Sequence, residues 1–293
     1  MKLSEVLNGP SLVVFQLLEQ CNLRCSMCYE WGENGSYHQH QAPAILDLQL
    51  VLQTIDDCLP SKPRFEFFGG EPLLYPNIWE VIKRIRDGGC ELAFSTNGTL
   101  LEKYAQQLVN NAPTRLWISL DGTEASNDQQ RGRGVFKRAL RGLSALSALK
   151  KTTGNRYPEI GITYVVTPAN VETLECFFLE HIDLDMLSCV RIECQSYITR
   201  EQSDAYAVLL NENFGIPHTP CASAYVRDPA VFSGMNIDSL TQQMQRVAEA
   251  CAQRGIVFHS QPNTLVADNI QHYFSANWSL MRDYKNRCAI PYF

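Results

Sequence analysis

The sequence predicts an α/β fold: a partial (β/α)6 TIM-type barrel with a C-terminal, mainly helical extension. Three observations carry that expectation. Short apolar runs alternate with helix-periodic segments six times up to about residue 200, and strict alternation implies a parallel sheet with helices outside it. Right-handed crossovers curl such a sheet toward a barrel, and six units leave it open. Polar segments rich in turn residues follow five of the strands, where barrels of this kind carry their active groups.

The elements follow in order. LVVFQLL (12–18) is the first strand. A helix over 47–59 is capped by Asp47 and places Leu48, Val51, Leu52, Ile55 and Leu59 on one face. Arg64–Phe68 is the second strand. Asn77 opens the next helix, with Ile78, Val81, Ile82 and Ile85 inward, and Gly88 stops it. Glu91–Ser95 is strand three, followed by a helix over 99–109 through Leu100, Leu101, Tyr104 and Leu108. Arg115–Leu120 is strand four, and a longer helix spans 135–150 through Leu140, Leu143 and Leu146. Ile160–Val166 is strand five; Val171, Leu174, Phe177 and Phe178 mark a helix; Val190–Tyr197 is strand six. Beyond residue 200 the alternation weakens. A helix over 237–253 carries Leu240, Met244, Val247 and Cys251, and Ile256–Phe258 reads as a further strand. The expected organisation is a barrel over 1–200 and an extension over 201–293 that covers part of it.

Composition narrows the function classes. A chain of 293 residues with 45% hydrophobic and 10% aromatic side chains can bury a sizeable core, which excludes disorder as its main state. Its 25 basic and 31 acidic residues give a net charge of −6 without a long basic stripe. Bulk nucleic-acid binding through phosphate neutralisation is therefore not expected. No apolar run reaches the ~18 residues that cross a bilayer, and Glu5 and Pro10 ahead of the first apolar run fit a signal peptide poorly. The expected setting is a reducing cytoplasm. There, 11 cysteines read as metal ligands, catalysts and core residues rather than as a disulfide framework.

The first strand runs into Cys21-Asn-Leu-Arg-Cys25-Ser-Met-Cys28-Tyr29. Three thiolates on so short a loop can converge, and thiolates suit iron–sulfur clusters or zinc. Structural zinc wants four protein ligands, usually in paired knuckles. Here three are close and no second Cys-x2-Cys follows. On a four-iron cluster, three ligands leave one iron open to a substrate or cofactor.

With this spacing, the sequence resembles the radical S-adenosylmethionine (radical SAM) superfamily. The resemblance spans about residues 11–200 and rests on more than the cysteines. Gly69-Gly70-Glu71-Pro72 ends strand two, Ser95-Thr96-Asn97-Gly98 ends strand three, and Ser119-Leu-Asp121-Gly122 ends strand four. Asn127-Asp128 and Arg131-Gly132 follow, all in family order. The resemblance implies that Cys21, Cys25 and Cys28 hold three irons of a four-iron four-sulfur cluster, with S-adenosyl-L-methionine on the fourth. Reduction then cleaves the sulfonium to methionine and a 5′-deoxyadenosyl radical, which removes hydrogen from substrate. It further implies an oxidoreductase, epimerase or maturase served by a flavodoxin- or ferredoxin-type electron donor. Gly69 and Gly70 are expected to let backbone approach the methionine part, and Glu71 to accept from its ammonium. Ser95, Asn97, Ser119 and Asp121 are candidates for ribose or methionine contacts, Arg131 for the carboxylate, and Tyr29 for the neighbourhood of adenine.

Several features have plainer readings. A zinc site completed by Cys58, belonging to a non-catalytic metal-binding or electron-transfer module, is the alternative to the enzyme. His38 and His40 sit in a polar loop without other nearby ligands. Cys58, Cys90, Cys176 and Cys251 read as core residues; Cys194 would reach the barrel interior if it faces inward. The ending Asn286-Arg-Cys288-Ala-Ile-Pro291 resembles the opening of the SPASM or twitch extension, which carries an auxiliary iron–sulfur cluster in relatives. One cysteine cannot hold a cluster, so Cys194, Cys221 or further chain would have to contribute. The resemblance leans toward peptide maturation. With only about ten residues expected before strand one, no winged-helix peptide-binding segment is expected there, which weakens the peptide reading and favours a small substrate such as a sugar or alcohol somewhat more.

Overall fold

The computed structural model describes residues 9–38, 42–216, 220–262 and 269–278. Its strands are β1 (Leu12–Leu18), β2 (Arg64–Gly69), β3 (Leu92–Thr96), β4 (Arg115–Ser119), β5 (Glu159–Val166), β6 (Cys189–Cys194) and β7 (Val257–Gln261). They form one sheet in chain order, every neighbouring pair parallel. The order starts at β1 and ends at β7, so the described strands make an open barrel. All six expected strands are present. The further strand is also present as β7, which pairs with β6 and brings residues beyond 200 into the sheet.

Alternation within each strand separates two faces. On the convex face Phe65, Phe67, Leu92, Phe94, Leu116 and Ile118 are buried under the helices and join the core. On the concave face Glu66, Ser95, Trp117, Ser119, Thr163 and Arg191 line a cavity. The helices are α1 (Leu48–Cys58), α2 (Ile78–Asp87), α3 (Leu101–Asn111), α4 (Glu124–Arg131), α5 (Val135–Thr153), α6 (Leu174–Cys176), α7 (Arg200–Phe214), α8 (Pro220–Ala224), α9 (Ile237–Gln253) and α10 (Ile270–Phe274). Asp47 caps α1 by accepting from the Leu50 amide. Ile78, Val81, Ile82 and Ile85 are the buried face of α2. Leu240, Val247 and Cys251 are buried along α9. Among the described residues no helix is long and apolar enough to cross a membrane.

Three elements depart from the sequence expectations. Helix α4 has no apolar stripe; it buries Ser126, Asn127, Gln130 and Arg131 instead, so hydrophobic periodicity is blind to it. The helix after β5 is one turn, α6, continued by a π-turn over Phe177–His181. Helix α7 starts with a capping box between Thr199 and Gln202 and buries Ser203 alone, so its apolar residues form no inward face.

Candidate active site

The loop leaving β1 carries the three cysteines, and backbone bonds fix its position. The Gly70 amide donates to Leu18 O at 3.0 Å and the Glu71 amide to Gln20 O at 2.9 Å, pinning the β2 turn against the start of the loop. The Ser26 amide donates to Gln130 O at 2.8 Å, tying the middle of the loop to α4. The two glycines are demanded by that first contact. Gly69 has φ +101°, and a Cβ on Gly70 would lie 2.0 Å from Gln20 O. Close approach to the β1 exit is thus one reason for Gly69-Gly70.

Glu71 binds the β2 turn to the β3 turn. It is fully buried, and its Oε2 accepts from the Asn97 amide at 2.8 Å. Its Oε1 accepts from Thr96 Oγ1 at 2.8 Å and the Leu73 amide at 3.2 Å. Burial outweighs these three donors and pushes the carboxyl up to about 7. The carboxylate lines the cavity and is engaged by protein, positioning Asn97. Asn97 in turn donates to Asn22 Oδ1 at 2.8 Å and lies 4.0 Å from Cys21 Sγ.

The sulfurs sit among donors. The Leu23 amide approaches Cys21 Sγ at 3.5 Å, and the Glu30 and Trp31 amides approach Cys28 Sγ at 3.4 and 3.3 Å. Arg131, buried on α4, reaches toward Cys25. Burial pushes the Cys21 thiol up to about 12 and raises Cys25 as well, so these thiolates need an electropositive partner. Among the described residues no three His, Cys, Asp or Glu groups close tightly enough to hold a single metal ion. Cys58, which a zinc site would borrow, ends α1 and packs against the core. A donor set of three sulfurs around a larger space, with amides aimed at the sulfurs, fits an iron–sulfur cluster with one open corner.

Arg131 and Asp121 form the site's buried ion pair. Arg131 Nε donates to Asp121 Oδ2 at 2.6 Å, and Asp121 Oδ1 accepts from the Val165 amide at 2.8 Å. Asp121 and the neighbouring thiols hold the guanidinium above its usual range despite burial. Asp121 is 0% exposed and does not line the cavity. It supports Arg131 and β5.

The cavity these elements enclose measures about 520 Å³, within the range of small-molecule sites. Cys21, Cys25, Cys28, Tyr29, Gly69, Gly70, Glu71, Ser95, Asn97, Ser119 and Arg131 all line it. Sequence reasoning missed others. Tyr225, after α8, stacks on Tyr29 with ring centroids 4.4 Å apart, so chain beyond residue 200 walls the site. Trp117, Arg191 and Glu193 line the cavity as well, and register alone reveals that they face it. Cys194 is 3% exposed and borders both core and cavity. His38 is exposed and is not among the residues that line the cavity. Cys288 and His40 lie outside the described residues, and with Cys288 the auxiliary-cluster expectation.

Comparison with known proteins agrees with this geometry. Fe-coproporphyrin III synthase of Methanosarcina barkeri is 28% identical over 170 residues, 57% of this chain and 40% of its own. Mycofactocin maturase of Mycolicibacterium smegmatis is 30% identical over 178 residues, 58% of this chain and 41% of its own. The match spans about two fifths of the length of these curated relatives. Among solved structures, Streptococcus suis SuiB bound to S-adenosylmethionine has a TM-score of 0.59 at 14% identity, covering 91% of this chain and 56% of that one. The enzyme anSMEcpe with bound AdoMet and a peptide has a TM-score of 0.58 at 16% identity, covering 85% and 64%. At such identity the likeness is one of fold. Residues 16–175, the stretch that carries the end of β1, the cysteine loop and strands β2 to β5, match the radical SAM family model, and the chain belongs to the radical SAM superfamily.

Proposed function

We propose that the chain works as a radical SAM enzyme that removes a hydrogen atom from a peptide or small-molecule substrate, with peptide maturation as the first reading. The observation that carries it is the trio Cys21, Cys25 and Cys28 opening, without a fourth protein ligand among the described residues, on the cavity that Arg131 borders. Cys21, Cys25 and Cys28 would hold a four-iron four-sulfur cluster, which with S-adenosylmethionine would supply one-electron reductive chemistry there. The protein's own share is orientation. Arg131, held charged by Asp121, presents a cation to a carboxylate. Asn97, fixed by Glu71, presents its amide beside Cys21. Tyr29 and Tyr225 form an aromatic wall that suits a nucleobase and keeps water out. A flavodoxin- or ferredoxin-type donor completes the reading.

The peptide reading draws on the mycofactocin maturase and on SuiB bound to its precursor peptide. The haem synthases among the relatives support the small-molecule reading. Anaerobic reconstitution with iron and sulfide, followed by dithionite and S-adenosylmethionine, tests the enzyme. 5′-Deoxyadenosine and methionine are expected from the wild type, and none from Cys25→Ala. A colourless zinc protein would establish the non-catalytic module instead.

A further inference from the structure

The floor of the cavity holds groups that the proposed function leaves unused. Thr163, Arg191 and His259 stand level with one another across β5, β6 and β7. Below them Trp117 lies across Gly161, where a Cβ would come within 2.5 Å of the indole. The Arg191 guanidinium rests 3.8 Å from the Trp117 ring centre. Such a cation–π perch holds the guanidinium flat and desolvates one of its faces. Its hydrogen bond among the described residues is a long one, 3.4 Å to Glu193 Oε1. Arg115, the other cation near Trp117, is instead held by Glu159 at 2.7 Å. Arg191 therefore keeps donors for the cavity, in the planar fork that matches an oxyanion. Beside it Thr163 is 7% exposed, lines the same cavity, and its Oγ1 has no hydrogen-bond partner among the described residues. A buried hydroxyl left unpaired is destabilising unless a ligand supplies the bond.

We propose that this floor recognises the substrate, and that Arg191 and Thr163 together take one oxyanion of it, a carboxylate or a phosphate. Glu193 is ion-paired with Arg191 at 3.4 Å and Glu66 with Arg64 at 3.0 Å, so the two carboxylates that line the space are neutralised and still disfavour a polyanion. The inference rests on the radical SAM reading and adds the substrate's chemical class to it.

The test uses the reconstituted protein with S-adenosylmethionine at saturation, so that Arg131 is occupied. Inorganic phosphate is followed by its phosphorus NMR line width, and acetate by its carboxyl carbon line. Saturable broadening of at least one probe is expected, and the probe that binds tighter names the source. Arg191→Gln should weaken that binding about tenfold, the loss of one charge-assisted pair. Thr163→Val, nearly isosteric, should weaken it by roughly threefold, the loss of one neutral hydrogen bond. Arg191→Lys, which keeps the charge and loses the fork, should fall between wild type and Arg191→Gln. Absence of saturable binding in a wild type that cleaves S-adenosylmethionine overturns the inference alone. Equal binding by wild type and Arg191→Gln, with both folded by circular dichroism, overturns it too. A wild type that binds no S-adenosylmethionine overturns the underlying reading first.

Discussion

Glu71 is the side chain whose removal separates a positioning role from a ligand-binding one. Replacing it with Ala strips the acceptor from two buried backbone amides, Leu73 and Asn97, and from the Thr96 hydroxyl. The hydroxyl can turn elsewhere, but the amides cannot. Each orphaned buried amide costs roughly 1–3 kcal/mol, so Glu71→Ala should lose on the order of 4 kcal/mol. Glu71→Gln keeps an oxygen for Leu73 and Thr96 and faces an NH2 toward the Asn97 amide. It should lose about 1–3 kcal/mol through that one mismatch. Urea denaturation of the reduced apo-protein reads both values, and iron per chain with S-adenosylmethionine affinity reads the site. Because Asn97 stands beside Cys21, the Ala variant should lose iron as well as affinity. A Glu71→Ala protein within about 1 kcal/mol of wild type, with full iron and weakened cofactor binding, would refute this reasoning. It would show that the carboxylate acts on the ligand and not on the turns.

Other outcomes follow from the same structure. Asp121→Ala leaves Arg131 as a buried unpaired cation and should cost about 3–5 kcal/mol in denaturation, with a fall in S-adenosylmethionine affinity. Gly161→Ala drives a Cβ into Trp117 and Cys189 and should cost roughly 1–3 kcal/mol, measured by thermal melting. Gly70→Ala meets Gln20 O and should yield protein that binds little iron on reconstitution. The pH dependence has a defined sign. Burial raises Glu71 from 4.5 to about 7, so the fold keeps this proton while the unfolded chain has lost it. Its contribution is therefore full below about 4.5 and is lost as pH rises through about 7, by at most ~3 kcal/mol. In denaturation midpoints between pH 5 and 8, Glu71→Gln should show a shallower decline than wild type.

The barrel was legible where apolar periodicity is strong. Helix α2, with four buried aliphatics, and strands such as Arg115–Ser119 follow directly from their patterns. Helix α4 was not legible, because Asn127, Gln130 and Arg131 are buried for hydrogen bonds rather than for apolar area. Helix α7 was hidden for the opposite reason, its exposure on nearly every side. In the site, spacing and turn chemistry located the cysteines and the ends of β2, β3 and β4. The roles of two carboxylates were not readable there. Glu71 and Asp121 find their donors in residues 26 and 44 positions away, at Asn97 and Val165. Tyr225 is distant in sequence from Tyr29, and Arg191 is shown to face the cavity only by the β5–β6 register.

The most direct measurement is electron paramagnetic resonance of the dithionite-reduced, reconstituted protein before and after addition of S-adenosylmethionine. If three cysteines leave a corner of the cluster exchangeable, the cofactor should shift the signal of the reduced cluster, and Cys21→Ala should show neither signal nor shift. A spectrum that S-adenosylmethionine leaves unaltered, in protein with a full complement of iron, would contradict the account.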